Sequence, residues 1–216
     1  MPYPRTAVTY LGLTVLLACS SRRVDPATGL PVGAMGPEAA IARARADSIR
    51  LPYTAADIHF MSGMISHHAQ AIKMAKWSST HGASAAVVRL SERIATSQAD
   101  EIQLMQSWLR DRRQPVPEPD PAGMKMKMSG TEHVMLMPGM LTPEQMAQLD
   151  TARGQEFDRL FLTFMIQHHR GAITMVRELF SATGAGQDEI VFKFANEVEV
   201  DQETEIARMQ QMLLEL

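Results

Sequence analysis

Apolar residues return every three or four positions along most of the chain, the spacing of helices with one buried face. Thr54, with Asp57 three residues on, predicts the start of a long helix, and His81-Gly82 its end. A second helix runs from about Ser84 to Arg113, where the Pro-rich stretch 115–121 forbids continuation. Thr142-Pro143-Glu144-Gln145 opens a further helical region that reaches about Ala182, with a break or bend near Gly154. Gly184 and Gly186 separate it from a last helix, Asp188 to Glu215. Glu38 to Arg50 is Ala/Arg-rich and predicts a short solvated helix that Pro52 stops. No segment alternates apolar and polar residues over a useful length, so strands are not expected.

The pattern is also duplicated. MISHHAQAIKMA at 64–75 matches MIQHHRGAITMV at 165–176 in seven of twelve positions. QADEIQLMQSWL at 98–109 matches QETEIARMQQML at 202–213 in six of twelve. Asp57 and Phe60 extend the first match upstream to Asp158 and Phe161. The same two segments in the same order indicate a repeated helical hairpin. Two such hairpins, 54–113 and 142–216, predict an all-α fold, a four-helix bundle with a pseudo-twofold axis. The connection between them, 114–141, is long for a compact domain, and such loops tend to be functional.

At about 100° per residue, His67 and His68 straddle the apolar stripe centred on Met64. His168 and His169 do the same around Met165, and Glu101 and Glu205 face inward beside Met105 and Met209. Each hairpin therefore aims two imidazoles and a carboxylate at the interior. Buried ionisable groups are costly unless they pair or bind a metal. Imidazole, carboxylate and thioether together suit copper, zinc or iron. A purely structural His–Glu network that sets register is the alternative. Met74, Met105, Met175 and Met209 sit at helical spacing and read as core, whereas Met64 and Met165, one turn from the His pairs, are candidate ligands. His59 points away from the stripe, His81 ends a helix, and neither reads as a site.

Composition adds a second candidate. The chain has 17 Met against 7 Phe, 3 Tyr and 2 Trp. The segment 124–140, MKMKMSGTEHVMLMPGM, concentrates Met124, Met126, Met128, His133, Met135, Met137 and Met140. In an exposed, Pro/Gly-flanked stretch thioethers have no packing role, and closely spaced ones bind Cu(I) or Ag(I). A Met-rich linker that packs loosely across the bundle is the alternative. A formal charge of −3 argues against nucleic acid as a partner, and a single Cys excludes an internal disulfide or a Cys-rich cluster.

That Cys sits at the end of an export-type segment. Arg5 precedes an apolar run from Ala7 to Ala18, too short to span a bilayer as a mature helix. Leu16-Leu17-Ala18-Cys19 resembles the lipobox of bacterial lipoproteins. The resemblance implies removal of residues 1–18 and lipidation of Cys19. Residues 19–53 would then be a tether, holding the bundle to a membrane surface on the periplasmic or outer side.

The MIxHHxxAIxM helix followed by QxxEIxxM, twice, resembles the bacterial family known as domain of unknown function 305 across residues 54–216. The resemblance implies a ferritin-like four-helix bundle. From copper-resistance members it also implies periplasmic copper binding through His and Met. Val176 stands where the first copy has Ala75, and Met212 where it has Trp108, which leaves the candidate ligands in place. No phosphate loop, zincin motif, Ser elbow or Cys nucleophile is visible. The expected function is an exported lipoprotein for copper buffering, storage or resistance, alone, as a homo-oligomer or with a metal-transfer partner. A ferritin-like metalloenzyme and a metal-free structural adaptor are the alternatives.

Overall fold

A computed structural model describes residues 23–26, 28–50, 53–128 and 131–216. The apolar run 7–18, read above as a signal, and Cys19 lie outside the described residues. The chain divides into two units, up to Ala46 and from Asp47 onward. In the first, Val24 bridges Pro31, and helix α1 (Pro37–Arg50) begins. The second holds α2 (Ala55–Trp77), α3 (Ala85–Asp111), a two-stranded ribbon of β1 (Met124–Met128) and β2 (Thr131–Met135), α4 (Pro143–Thr151), α5 (Gly154–Ser181) and α6 (Glu189–Leu214). The fold is all-α apart from that ribbon. No helix among the described residues is long and apolar enough to cross a membrane.

Local chemistry sets the helix ends. Thr54 caps α2 in a capping box closed by Asp57, and Thr142 caps α4 in one closed by Gln145. The break near Gly154 separates α4 from α5, with Gly154 at φ 58°, a conformation that costs a residue without Cβ little.

Helices α2 and α3 form one hairpin, α5 and α6 the other, and α2 packs on α5. The duplicated aspartates lock the hairpins together reciprocally. Asp57 Oδ1 accepts from Gly186 N (2.8 Å), in the α5–α6 turn. Asp158 accepts from Ser84 N (3.1 and 3.2 Å), in the α2–α3 turn. Each buried carboxylate thus ties the start of one hairpin to the turn of the other, as a pseudo-twofold relation requires. Asp188 adds a unique tie: it caps α6, accepts from Trp108 Nε1 (3.1 Å) and forms a fully buried ion pair with Arg112.

The apolar interior falls into two clusters. One contains Phe60, Met64, Met105, Trp108, Met175 and Phe194. The other contains Met74, Leu90, Ile94, Phe157, Phe161, Met165 and Met209. On all four long helices the clusters occupy opposite ends, and the histidines, Gln98, Glu101, Gln202 and Glu205 lie in the sequence between them.

The strands correct the expectation of none. Met-Lys-Met-Lys-Met does alternate with period two, and it pairs antiparallel with 131–135. Five residues are enough because the partner strand follows at once and Met124 rests on the core.

Candidate metal centre

Four imidazoles from α2 and α5 meet in the middle of the bundle, all with no exposed surface. Adjacent histidines on a helix diverge by about 100°, so each pair splits its tasks. His67 and His168 turn toward each other across the α2–α5 seam, their ring centroids 3.7 Å apart and tilted by 38°. His68 and His169 turn outward to the partner helices. His68 Nε2 lies 2.6 Å from Glu101 Oε2, and His169 Nε2 lies 2.7 Å from Glu205 Oε2. The remaining oxygens are held too: Ser97 donates to Glu101 Oε1 (3.2 Å) and Arg93 to Glu205 Oε1 (3.4 Å).

These contacts fix the tautomers. A carboxylate or carbonyl only accepts, so Nε2 of His68 and His169 carries a proton. The same holds for His67, whose Nε2 donates to the Pro138 carbonyl at 3.1 Å. The other nitrogen of each of these three rings, Nδ1, is buried without a hydrogen-bond partner, as are both nitrogens of His168. A buried polar atom left unsatisfied costs about 1–3 kcal/mol. The arrangement is that of metal-binding histidines generally, which donate one ring N–H to a carboxylate or carbonyl and present the other nitrogen to the ion. Burial, reinforced by the neighbouring imidazoles, drives the pKa of His67 and of His168 well below the ordinary value. Both are therefore neutral at neutral pH, with lone pairs free of protons. Burial alone would raise the Glu101 carboxyl, but the hydrogen bond and charge of His68, with the Ser97 hydrogen bond and the charge of His169, together hold it below its ordinary value.

The geometry revises the part played by the glutamates. Sequence placed Glu101 and Glu205 beside the imidazoles as ligands; here the Oε2 atom of each is engaged by an imidazole N–H. Among the described residues no three His, Cys, Asp or Glu side chains converge on a point where an ion could sit. The buried nitrogens of the layer are imidazole nitrogens, and Met64 and Met165, both fully buried, lie one turn away on either helix. Gln98 and Gln202, nearly as buried, also carry unpartnered side-chain oxygens. They line a cleft of about 210 Å3 between α3 and α6, together with Glu101, Asp201 and Glu205. Burial and then the two glutamates raise the Asp201 pKa.

The methionine segment divides in two. In the ribbon, Met124 pairs with Met135 and Met126 with His133, and directly opposed residues share a face. One thioether pair and one thioether–imidazole pair thus share a face, with His133 and Met135 exposed. Met128 pairs with Thr131, and its side chain lies outside the described part. Met137 and Met140, by contrast, are not exposed: each is 5% accessible and belongs to the core. Their turn sits on bare backbone, because a Cβ at Gly171 would overlap the Pro138 carbonyl. Gln70 clamps the segment, donating to Pro121 O and Leu141 O (3.1 Å each) and accepting from Leu141 N (2.7 Å). The Pro138 carbonyl that orients His67 is a backbone group, and no side-chain pattern announced it. His81 lies four residues past the end of α2 at Trp77, and its Nε2 contacts Asp150 O at 2.8 Å.

Known structures share this architecture. A DUF305 fragment from Deinococcus radiodurans is 28% identical, with a TM-score of 0.62 over 76% of this chain and 99% of that one. A Streptomyces coelicolor protein named as a secreted DUF305 protein is 31% identical, with a TM-score of 0.61 over 74% and 93%. CopM in its Cu(II)-bound form is 27% identical, with a TM-score of 0.57 over 74% and 96%, and CopM has also been solved with Cu(I) and with Ag. No curated protein matches the chain. The profile of the domain of unknown function 305 matches residues 57–213, nearly the whole helical unit, and the chain belongs to that family.

Proposed function

We propose that the protein is an exported copper-binding lipoprotein that buffers, stores or sequesters the metal. The observation that carries this reading is the central layer: three imidazoles with Nε2 committed to an acceptor and Nδ1 buried without a partner, beside a fourth with neither nitrogen satisfied. Imidazole with nearby thioether suits copper, particularly Cu(I), more than a hard cation. Glu101 and Glu205 act by orienting rings and raising their basicity rather than by binding the ion. The ribbon face of Met124, Met126, His133 and Met135, with Met128 at its end, is a second site for Cu(I), near the surface where exchange is fast. Thioethers keep their metal affinity in an oxidising compartment without forming disulfides. Copper-bound and silver-bound forms of CopM, a structural neighbour at 26–27% identity, support copper as the metal. The Leu16-Leu17-Ala18-Cys19 signature supports export and a lipid anchor. Zinc fits the imidazoles less well because the layer lacks the convergent fourfold set that it prefers.

The test is a titration of untagged protein with Cu(II), and with Cu(I) under reductant, on a background with Met124, Met126 and Met135 changed to Leu. Replacing His67, His68, His168 and His169 by Gln should weaken the remaining copper binding by more than tenfold, about 1.4 kcal/mol. Unchanged affinity with a large loss of metal-free stability would make the layer structural.

A further inference from the structure

A small cavity of about 90 Å3 lies at the seam of α2, α5 and the 137–140 turn, and no layer imidazole or ribbon residue lines it. His59 and Glu178 line it together with Met137 and Met175, on a floor that includes Phe60 and Leu179. The thioethers come from different elements and meet over Gly63. A Cβ built there would stand 3.1 Å from Met137 Sδ and 3.5 Å from Met175 Cε. The missing side chain is what admits both. His59 precedes Gly63 by one helical turn, so it rises from the same face of α2. Glu178 follows Met175 by three residues and stands beside it on α5. Met137 and Met175 are buried, while His59 and Glu178 are exposed.

Packing alone does not explain the group. Two flexible thioethers brought together to fill a core should leave little space beside them, yet a cavity of about 90 Å3 borders both, and an imidazole lines it. One imidazole and two thioethers from three elements are a soft donor set, suited to Cu(I) or Ag(I) and poor for a hard cation. We infer that His59, Met137 and Met175 form a separate site for a soft monovalent ion, with Glu178 supplying negative charge at its mouth. The site uses none of the central imidazoles. It also gives His59 and Met175 a part that helical spacing did not suggest.

The test labels the methionine methyls of the full chain with 13C and follows them by NMR during titration with silver nitrate in chloride-free buffer. The Met137 and Met175 signals should move together and saturate at a common equivalent of Ag(I). His59→Gln, at an exposed position, should raise the silver concentration needed for half of that shift at least tenfold. The Met126 and Met135 signals should titrate in the variant as in the parent. Met175→Leu, which keeps an apolar side chain of similar volume, should remove the Met137 response. The inference is overturned if Met137 and Met175 stay in place while other signals respond, if they stay in place because no silver binds anywhere, or if His59→Gln leaves their titration unchanged. Because the ribbon methyls appear in the same spectra, failure of the ribbon site registers separately from failure of this one.

Discussion

His67 and His168 carry opposite obligations to those of ordinary histidines. Their rings are buried, stacked and neutral, so in the metal-free protein the native state binds fewer protons than the unfolded chain wherever an unfolded histidine is protonated. The unfolded value is about 6.5 and the folded values lie well below it. Their stability contribution is therefore complete above that pH and is lost as the pH falls beneath it. Two protons correspond to a slope of up to about 2.7 kcal/mol per pH unit. Urea unfolding of the apo protein at pH 7.5, 6.5 and 5.5 should trace that loss, and the double variant His67→Gln, His168→Gln should flatten it. Glu101 is a residue of a different kind. Glu101→Gln leaves an acceptor for His68 but removes the charge, and should weaken copper binding by about 10- to 100-fold, the usual effect of losing a ligand's orienting partner. An unchanged copper affinity would show that the His68–Glu101 bond has no bearing on the metal. Sequence alone placed these side chains correctly inside, because helical phase is a local property. It could not say that the glutamates bind imidazoles, or that His67 meets His168, since both depend on how one helix registers against another.

The four long helices were legible for the same local reason: the cap at Thr54, glycines at the turns and a repeated apolar stripe all agree. The connection between the hairpins was not. Its Met, Lys, Pro and Gly content reads as an exposed loop, yet 124–128 and 131–135 pair as a ribbon and Met137 and Met140 enter the core. What decides the matter is remote in sequence, at Gly63, Gly171 and Gln70, which respectively make room for, seat and clamp the segment. Gly171 gives the clearest test. Gly171→Ala forces a methyl group into the Pro138 carbonyl, so the turn must lift. We expect a loss of about 1–3 kcal/mol from overpacking, measured by denaturant unfolding. Copper binding by the layer should weaken as well, because the lifted carbonyl no longer orients His67. Wild-type stability and affinity in this variant would mean that the turn does not bear on the site.

Across the whole molecule, duplication explains the architecture: Asp57 and Asp158 exchange equivalent bonds between hairpins, and each hairpin contributes the same His-His and Glu set. A polar layer between two apolar clusters is a poor choice for stability alone, and the proposed metal would give it a reason. The two proposed sites differ in access: His133 and Met135 of the ribbon are exposed, while the layer imidazoles are buried. Anchoring belongs to this scale. Cys19→Ala should shift the protein from the membrane fraction to the soluble fraction or block its processing. Identical fractionation of variant and parent as soluble mature protein would refute the lipid anchor.

The central claim is that Nδ1 of the layer histidines meets the metal while Nε2 remains committed to Glu101, Glu205 and Pro138. Histidine-selective 15N labelling, read by two-bond proton–nitrogen NMR before and after one equivalent of Ag(I) as a mimic of Cu(I), observes those nitrogens directly. The apo spectra should show His67 as the Nε2–H tautomer. On metal addition the Nδ1 resonances of the layer should move by far more than the Nε2 resonances. If the layer nitrogens stay unmoved while ribbon methionines take up the ion, the buried imidazoles are not ligands.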